Sequence, residues 1–438
     1  MKTTPDKFLE RIKKKLTKEE FDELKSFLQW TKEVVIIDQI NENNNEKNEW
    51  WIIRLKNWVT LRATDKNLRW KVCKFEWWEY YVCKNKQDLE KQLKENIFTP
   101  DRLITTYVND MSEIFNWEES FNEDISNWDT SNVTNMKNMF STARSFNQPL
   151  NNWDVSNVED MSWMFCEAES FNQPLNNWNT SNVTNMNRMF INTEKFNQPI
   201  WNWNVSNVTY MCWMFLNAKN FNQPIWKWNV SNVTNMSQMF EWANLFNQPI
   251  WSWNVSNVTD MHSMFLYCYE FNQPLNNWDT SNVTDMSQMF EWARSFNQPI
   301  WNWNTSEVID MHSMFDCAEL FNQNIWNWDT SNVINMNQMF RYASSFNQPI
   351  WNWDTSNVIE MIWMFKNAKN FNQPLDNWNT SKVKNMSQMF VWAESFNQNI
   401  SKWNTKKVEN YYNFDEDSNK EWKKGFKPKL GFKFLWIF

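Results

Sequence analysis

Glycine is nearly missing from this chain. Its 438 residues include two, Gly425 and Gly431, where a usual frequency of about 7% would supply about 30. Glycine is the default wherever the backbone takes positive φ, so a folded chain without it must turn on Asn and Asp, or must hold other residues at positions built for glycine. Histidine is almost as rare, with only His262 and His312. No apolar run approaches the roughly 18 residues of a membrane span, and a net charge of −8 offers no positive field for nucleic acid. The six cysteines, Cys73, Cys83, Cys166, Cys212, Cys268 and Cys317, show no CxxC spacing, which gives no sign of a zinc or thioredoxin-type motif. GxSxG, HExxH, a phosphate-cradling loop and an EF-hand loop are all absent. Little material for catalysis remains, and no metal or cofactor is expected.

Aromatic residues, by contrast, make up 18% of the chain, with 34 Trp and 34 Phe, which excludes extensive disorder. They are periodic. Phe-Asn pairs begin at Phe121 and recur every 25 residues through Phe146, Phe171 and onward to Phe396, twelve in all without an insertion. The unit reads F-N-Q-P-I/L-x-x-W-N/D-T/V-S-N-V-x-x-M-x-x-M-F-x-x-A-x-x, preceded by a half unit in Val108, Met111 and Phe115. A fixed period of this length identifies a solenoid or closed array. Within it, Val133, Met136, Met139 and Phe140 follow a helical spacing after the capping pair Ser131-Asn132, so a short helix is expected there. Pro149 ends that pattern, and Trp153 to Val155 is expected as a short parallel strand stacked from coil to coil. The Asn column from Asn122 to Asn397 is expected to satisfy backbone groups between coils. Together these features predict an α/β repeat solenoid with a small α+β N-terminal leader.

The tryptophans divide. One column is complete, from Trp128 and Trp153 to Trp403 in steps of 25, and reads as core. The other 22 include Trp201, Trp226, Trp251, Trp301, Trp326 and Trp351, which share a column with Ser126, Asn151 and Asp376. Trp117, Trp242, Trp292 and Trp392 share another with Thr142, Glu167 and Asn192, and Trp58 follows Asn57 at a hairpin-like position. Trp163, Trp213 and Trp363 complete this irregular set. Small turn-forming residues alternate with these tryptophans, and glycine is the missing member of that group. Many of the 22 are therefore expected to be glycine positions, written as Trp where UGA codons are read under a different genetic code.

The string FNQPLNNWDVSNVEDMSWMF, Phe146 to Phe165, resembles the 25-residue repeat of BspA-like leucine-rich-repeat surface proteins, which also occurs in mycoplasma-type surface lipoproteins. The resemblance covers Val108 to about Val408, and Trp58-Val59-Thr60-Leu61-Arg62-Ala63 is similar to the β-rich leader of such proteins. It implies a leucine-rich-repeat-like fold, a bacterial cell-surface or secreted location and an adhesion or interaction role. It also implies glycine in the second Trp column and at the Trp of Met-x-Trp-Met-Phe.

Four segments are expected: a helical segment over 1–40, a β-rich leader or cap over 41–107, the solenoid over 108–410 and a C-terminal cap or tail over 411–438. Strands are expected at Ile52 to Leu55, Val59 to Ala63, Val72 to Phe75 and Tyr80 to Cys83, and a helix over Lys86 to Asn96. Met1 to Leu16 is charged and lacks the apolar core of an export signal, which favours a cytoplasmic location as the alternative. Function is expected to be non-enzymatic binding of a protein or glycan through the variable columns, represented by Lys137, Asn138, Asn187, Arg188, Ser237, Gln238, His262 and Ser263; the alternative is an intracellular scaffold. His262 and His312 lie two units apart, too far to share one metal, and are expected on solvent-facing helix positions. The Asp/Asn column at Asp129, Asp154, Asp279, Asp329 and Asp354 fits turn hydrogen bonding better than a calcium ladder.

Overall fold

The computed structural model describes residues 35–36, 52–54, 60–64, 69, 71–75 and 78–431; Trp58, the final Phe432 to Phe438 and the rest of the helical segment expected over 1–40 lie outside them, while Val35–Ile36 within that segment is a strand, not a helix. The chain forms two compact units, Met1–Val183 and Thr184–Phe438. In the first, strands β1 (Val35–Ile36), β2 (Ile52–Arg54) and β3 (Leu61–Ala63) make one antiparallel sheet. Strands β4 (Val72–Phe75) and β5 (Trp78–Val82) pair antiparallel, and β6 (Leu103–Ile104) joins β5 in parallel. Helix α1 (Lys86–Glu95) starts where the Asn85 side chain accepts the Asp88 N–H and ends at Asn96, with φ of 51°, the side-chain cap and left-handed stop that such helices favour. Ile52, Leu61, Ala63, Cys73, Tyr80, Val82 and Ile104 bury together as the leader core. Cys73 lies opposite Tyr80 in the β4–β5 register, so Cys73 and Cys83 do not face each other, and both thiols are free and buried.

This leader seals the open side of the first coil. The Leu61 N–H donates to Asn127 O, Arg62 Nε donates to the buried Asp129 carboxylate at 2.8 Å, and the Trp128 indole N–H donates to Pro100 O. In the second unit, Trp422 sets its ring edge-on against Phe390 and Phe396, with interplanar angles of 68° and 88°. Its N–H donates to Gln398 O while Ile400 N–H reaches Phe426 O, so the segment after 411 covers the last coil.

The coils correct two expectations. Among the described residues α1 is the only α-helix, and the Val-Met-Met-Phe stripe is a chain of turns. Met139, Ser141 and Ala143 donate back to Met136, Asn138 and Phe140, while Met136, Asn138, Phe140 and Thr142 donate to Asp160, Ser162, Met164 and Cys166 of the next coil. Asn138 and Thr142 carry φ of 55° and 62°, and the second unit repeats this at Gln238 (55°) and Trp242 (58°). Two left-handed residues four apart forbid a helix, and they turn alternate N–H groups toward the neighbour. An inward residue about every third position mimics a helical stripe. The parallel ladder is also elsewhere: single bridges join Asp110, Asn135 and Asp160 in the first unit and run from Asn185 through Tyr210, Asp260 and Asp310 to Asn410 in the second. Trp153 to Val155 forms no strand.

Side chains stitch the rest. Asn122 Oδ1 accepts the Asn147 N–H, and Asn222 Oδ1 accepts both the Asn247 N–H and Gln248 Nε2. This matches the expected role of the Asn column, although Asn122 is exposed and Asn147, Asn222 and Asn247 are only half-buried. Asp154 and Asp279 accept the N–H two residues on, the turn bonding expected of that column. Within each unit complete-column Trp rings stack at 6.1–6.5 Å, as Trp128 on Trp153 and Trp203 on Trp228, and indole N–H groups donate to main-chain carbonyls of the coil before, as in Trp178 to Leu150 and Trp303 to Leu275. That bond explains why the column holds Trp rather than Phe. Trp303→Phe should remove that bond, leaving Leu275 O only the Trp278 N–H, and cost roughly 0.5–1.5 kcal/mol, read as a lower denaturant midpoint.

The irregular tryptophans fall into two kinds. Trp117, Trp163, Trp213, Trp242, Trp292, Trp363 and Trp392 have φ between 56° and 67°, the region glycine enters without a steric penalty of about 1–2 kcal/mol. Trp201, Trp226, Trp251, Trp301, Trp326 and Trp351 do not lie there; they are exposed on a turn. Backbone conformation thus supports glycine at the first group and gives no reason for it at the second. Trp117→Gly should stabilise the protein by about 1 kcal/mol, whereas Trp251→Gly should be neutral or destabilising by about 0.5–1 kcal/mol, a difference that thermal unfolding resolves.

Candidate interaction face

The face that varies flanks the bridge ladder. Asp and Asn ladder residues are held by their own side chains: Asp160 Oδ1 accepts the Ser162 N–H, and Asn235 Oδ1 accepts the Ser237 N–H and hydroxyl. The residue directly after the bridge is a buried core Met, as at Met136 and Met236, whereas the residue before it and those two and three positions after it vary. Lys137 is exposed, and Asn138, Asn187, Arg188, Gln238 and His262 are half-buried. Ser237 and Ser263 are buried, each 2% exposed, because their hydroxyls turn in to Asn235 and Gln288; they offer no binding surface. Asn138, Arg188, Gln238 and Ser263 occupy left-handed turn positions, not the solvent face of a helix.

Sequence reading passed over the column before the bridge. It holds Thr in half of the coils, at Thr134 and then Thr184, Thr209, Thr234, Thr259 and Thr284, followed by Ile309, Ile334 and Ile359 in succession. Ile309 and Ile334 are 48% and 43% exposed. With Thr284, Asn332 and Asn357 they line an open groove of about 510 Å³ that has Glu307 toward one end and Lys382 toward the other. Three consecutive β-branched apolar residues in a Thr column are a signal that column-by-column comparison would have caught.

Two coils carry an imidazole beside a carboxylate. His262 Nδ1 lies 2.8 Å from Asp260 Oδ1, and His312 Nδ1 lies 3.0 Å from Asp310 Oδ1. The bond to Asp260 raises His262 above the ordinary imidazole value despite partial burial, with added attraction from Asp260, Asp285 and Glu241. His312 is raised in the same way by its bond to Asp310, then by the charges of Asp310, Asp285 and Glu291. Partial burial pushes Asp310 upward, but the His312 ring and backbone bonds, its charge and the Asn335 amide outweigh that and leave the carboxyl lowered. Burial pushes the Cys73 thiol up to about 11 and raises Cys83, Cys268 and Cys317 as well, so these thiols stay protonated at neutral pH.

A family model described as "Mycoplasma protein of unknown function, DUF285" matches residues 84–201, 173–265, 248–330 and 320–424. The chain belongs to this family. The DUF285 match begins just before α1 and ends at Lys424, so it takes in α1, β6 and Trp422 but not the leader strands β1 to β5. No curated protein matches the chain. Among solved structures, the crystal structure of a TLR13-ssRNA13 complex is similar at 10% identity, over 70% of this chain and 49% of that one, with a TM-score of 0.25; the chain thus spans about half the length of that protein.

The His312–Asp310 pair has a defined pH signature. A raised imidazole stabilises the fold fully below its unfolded value of about 6.5, and that contribution is lost as pH rises through the raised folded value. The lowered Asp310 contributes above the unfolded carboxylate value and loses this as pH falls through its own folded value. Asp310→Asn should therefore shift the His312 midpoint downward, toward the ordinary value, in an NMR titration, and leave less of a decline in stability above neutral pH.

Proposed function

We propose that this DUF285 protein is a non-enzymatic, BspA-like surface adhesion or interaction protein, and that it binds an extended protein segment along the groove of Ile309, Ile334 and Ile359. The single observation that carries this reading is the replacement of Thr by three successive Ile beside the ladder, Ile309 and Ile334 exposed and Ile359 half-buried. Burying one such side chain is worth about 1.5–3 kcal/mol, so three of them supply a contact that scattered polar columns do not. Charge sets the preferred ligand: a segment of apolar residues with a cation near Glu307 and an anion near Lys382 complements the two ends. Coils whose core columns stay constant while this column changes are the arrangement in which a repeat protein varies its ligand without disturbing its fold.

The test has two parts. Surface proteolysis of intact cells that removes the protein and abolishes attachment supports display, whereas retention of the intact protein in the cytosolic fraction overturns it in favour of an intracellular scaffold. For binding, partners captured with the purified full chain should lose at least tenfold in affinity with Ile334→Asp, a loss of about 1.4 kcal/mol or more, while Thr209→Asp in the same column outside the groove should leave affinity unchanged. Equal effects of the two substitutions would place the contact elsewhere.

A further inference from the structure

The Asp260 coil and the coil after it bring together three side chains of mixed chemistry. His262 offers an imidazole nitrogen, and Asp260 and Asp285 each offer a carboxylate oxygen; these donor atoms all lie within 4.8 Å of one another. Asp260 and Asp285 are direct neighbours across a parallel bridge, so backbone hydrogen bonding, rather than a mobile loop, sets their separation. Each carboxylate is held from outside the cluster. The Asn235 amide donates to Asp260 Oδ2 at 3.0 Å, and the Ser287 hydroxyl donates to Asp285 Oδ1 at 2.6 Å. Such outer partners orient the ligands of a metal site and are as much a part of it as the donors themselves. His262 and Asp260 are about 30% exposed, so an ion reaches them from solvent.

We propose that Asp260, His262 and Asp285 bind one divalent transition-metal ion of the zinc class. Donors at about 2.0–2.2 Å from a single ion lie at most about 4.4 Å apart, so small side-chain rotations close the cluster without moving the ladder. The imidazole selects against calcium and magnesium, which take oxygen ligands, and the two carboxylates neutralise the charge of the ion. Three protein donors leave a coordination position open to water or to a donor from a bound partner. The chain carries its own control two coils on. His312 and Asp310 repeat the first pair, but the following coil supplies Asn335 where Asp285 stands, and the Asn335 amide donates to Asp310 Oδ2. The Asn335 amide nitrogen is no ligand, and its neutral Oδ1 accepts the Asn337 N–H, so the second cluster lacks a third anionic donor.

Calorimetric titration of the full chain with zinc chloride alone tests this. One ion per chain is expected, with affinity falling at least tenfold in His262→Gln and in Asp285→Asn and unchanged in His312→Gln. Asn335→Asp should add a second site and raise the stoichiometry from one to two, a gain that a misfolded variant would not give. Thermal unfolding without zinc verifies that each variant is folded. Absence of binding up to millimolar zinc, full binding in both His262→Gln and Asp285→Asn, or calcium chloride binding as tightly as zinc would overturn the assignment.

Discussion

The structure depends on one device: two left-handed residues per coil, four apart, which redirect alternate N–H groups out of the chain's own turns and into the next coil. With Asn138 and Thr142, or Gln238 and Trp242, in that conformation, the Met-Met-Phe segment becomes a strip bonded to its neighbour at every second residue. Each turn then satisfies half of its own backbone and half of another's. The Asn column and the indole N–H groups do the same along the other sides of the coil. A 25-residue unit with almost no regular secondary structure can thus be buried without orphaned backbone groups. The buried aromatic columns follow from it, because coils fixed at one spacing place ring upon ring.

The same device explains what could and could not be read from the residues. Period, core columns and the Asn and Asp ladders were legible, since each is a constant residue type at a constant offset. The leader was legible too: Val72–Phe75 is a strand as expected and Lys86–Glu95 a helix. The coil's internal form was not. Val133, Met136, Met139 and Phe140 point inward at intervals of three or four residues whether the backbone is helical or a run of turns, and periodicity alone does not separate the two. The deciding information lay in the columns at Asn138 and Thr142, where Asn, Gln, Ser, Tyr and Trp share a left-handed position that none of them announces. Ser237 and Ser263 were misplaced for the same reason: a helix would expose them, whereas the turn folds the Ser237 hydroxyl back to the ladder residue Asn235 and the Ser263 hydroxyl to Gln288 of the next coil.

On the ladder face, constant and variable positions interleave within a few residues. The bridge residue must hold the N–H two positions on, so it stays Asp or Asn in most coils, while its neighbours are free to become Ile, His, Lys or Glu. That freedom produces both the apolar groove beside Glu307 and the imidazole–carboxylate pairs, on coils of one backbone. A local change of ligand chemistry therefore costs the fold little.

The edge-on packing of Trp422 sets a limit on the array. Inside the coils, rings lie nearly parallel and present a face that accepts another ring in register, as Phe365 does for Phe390. Trp422 meets Phe390 and Phe396 at steep angles and ends the pile with an orientation no further coil can copy. An uncovered last coil would offer a second chain the template that each coil offers the next. The C-terminal segment is in this sense a polymerisation stop, keeping a surface designed for self-similar stacking from recruiting copies of itself.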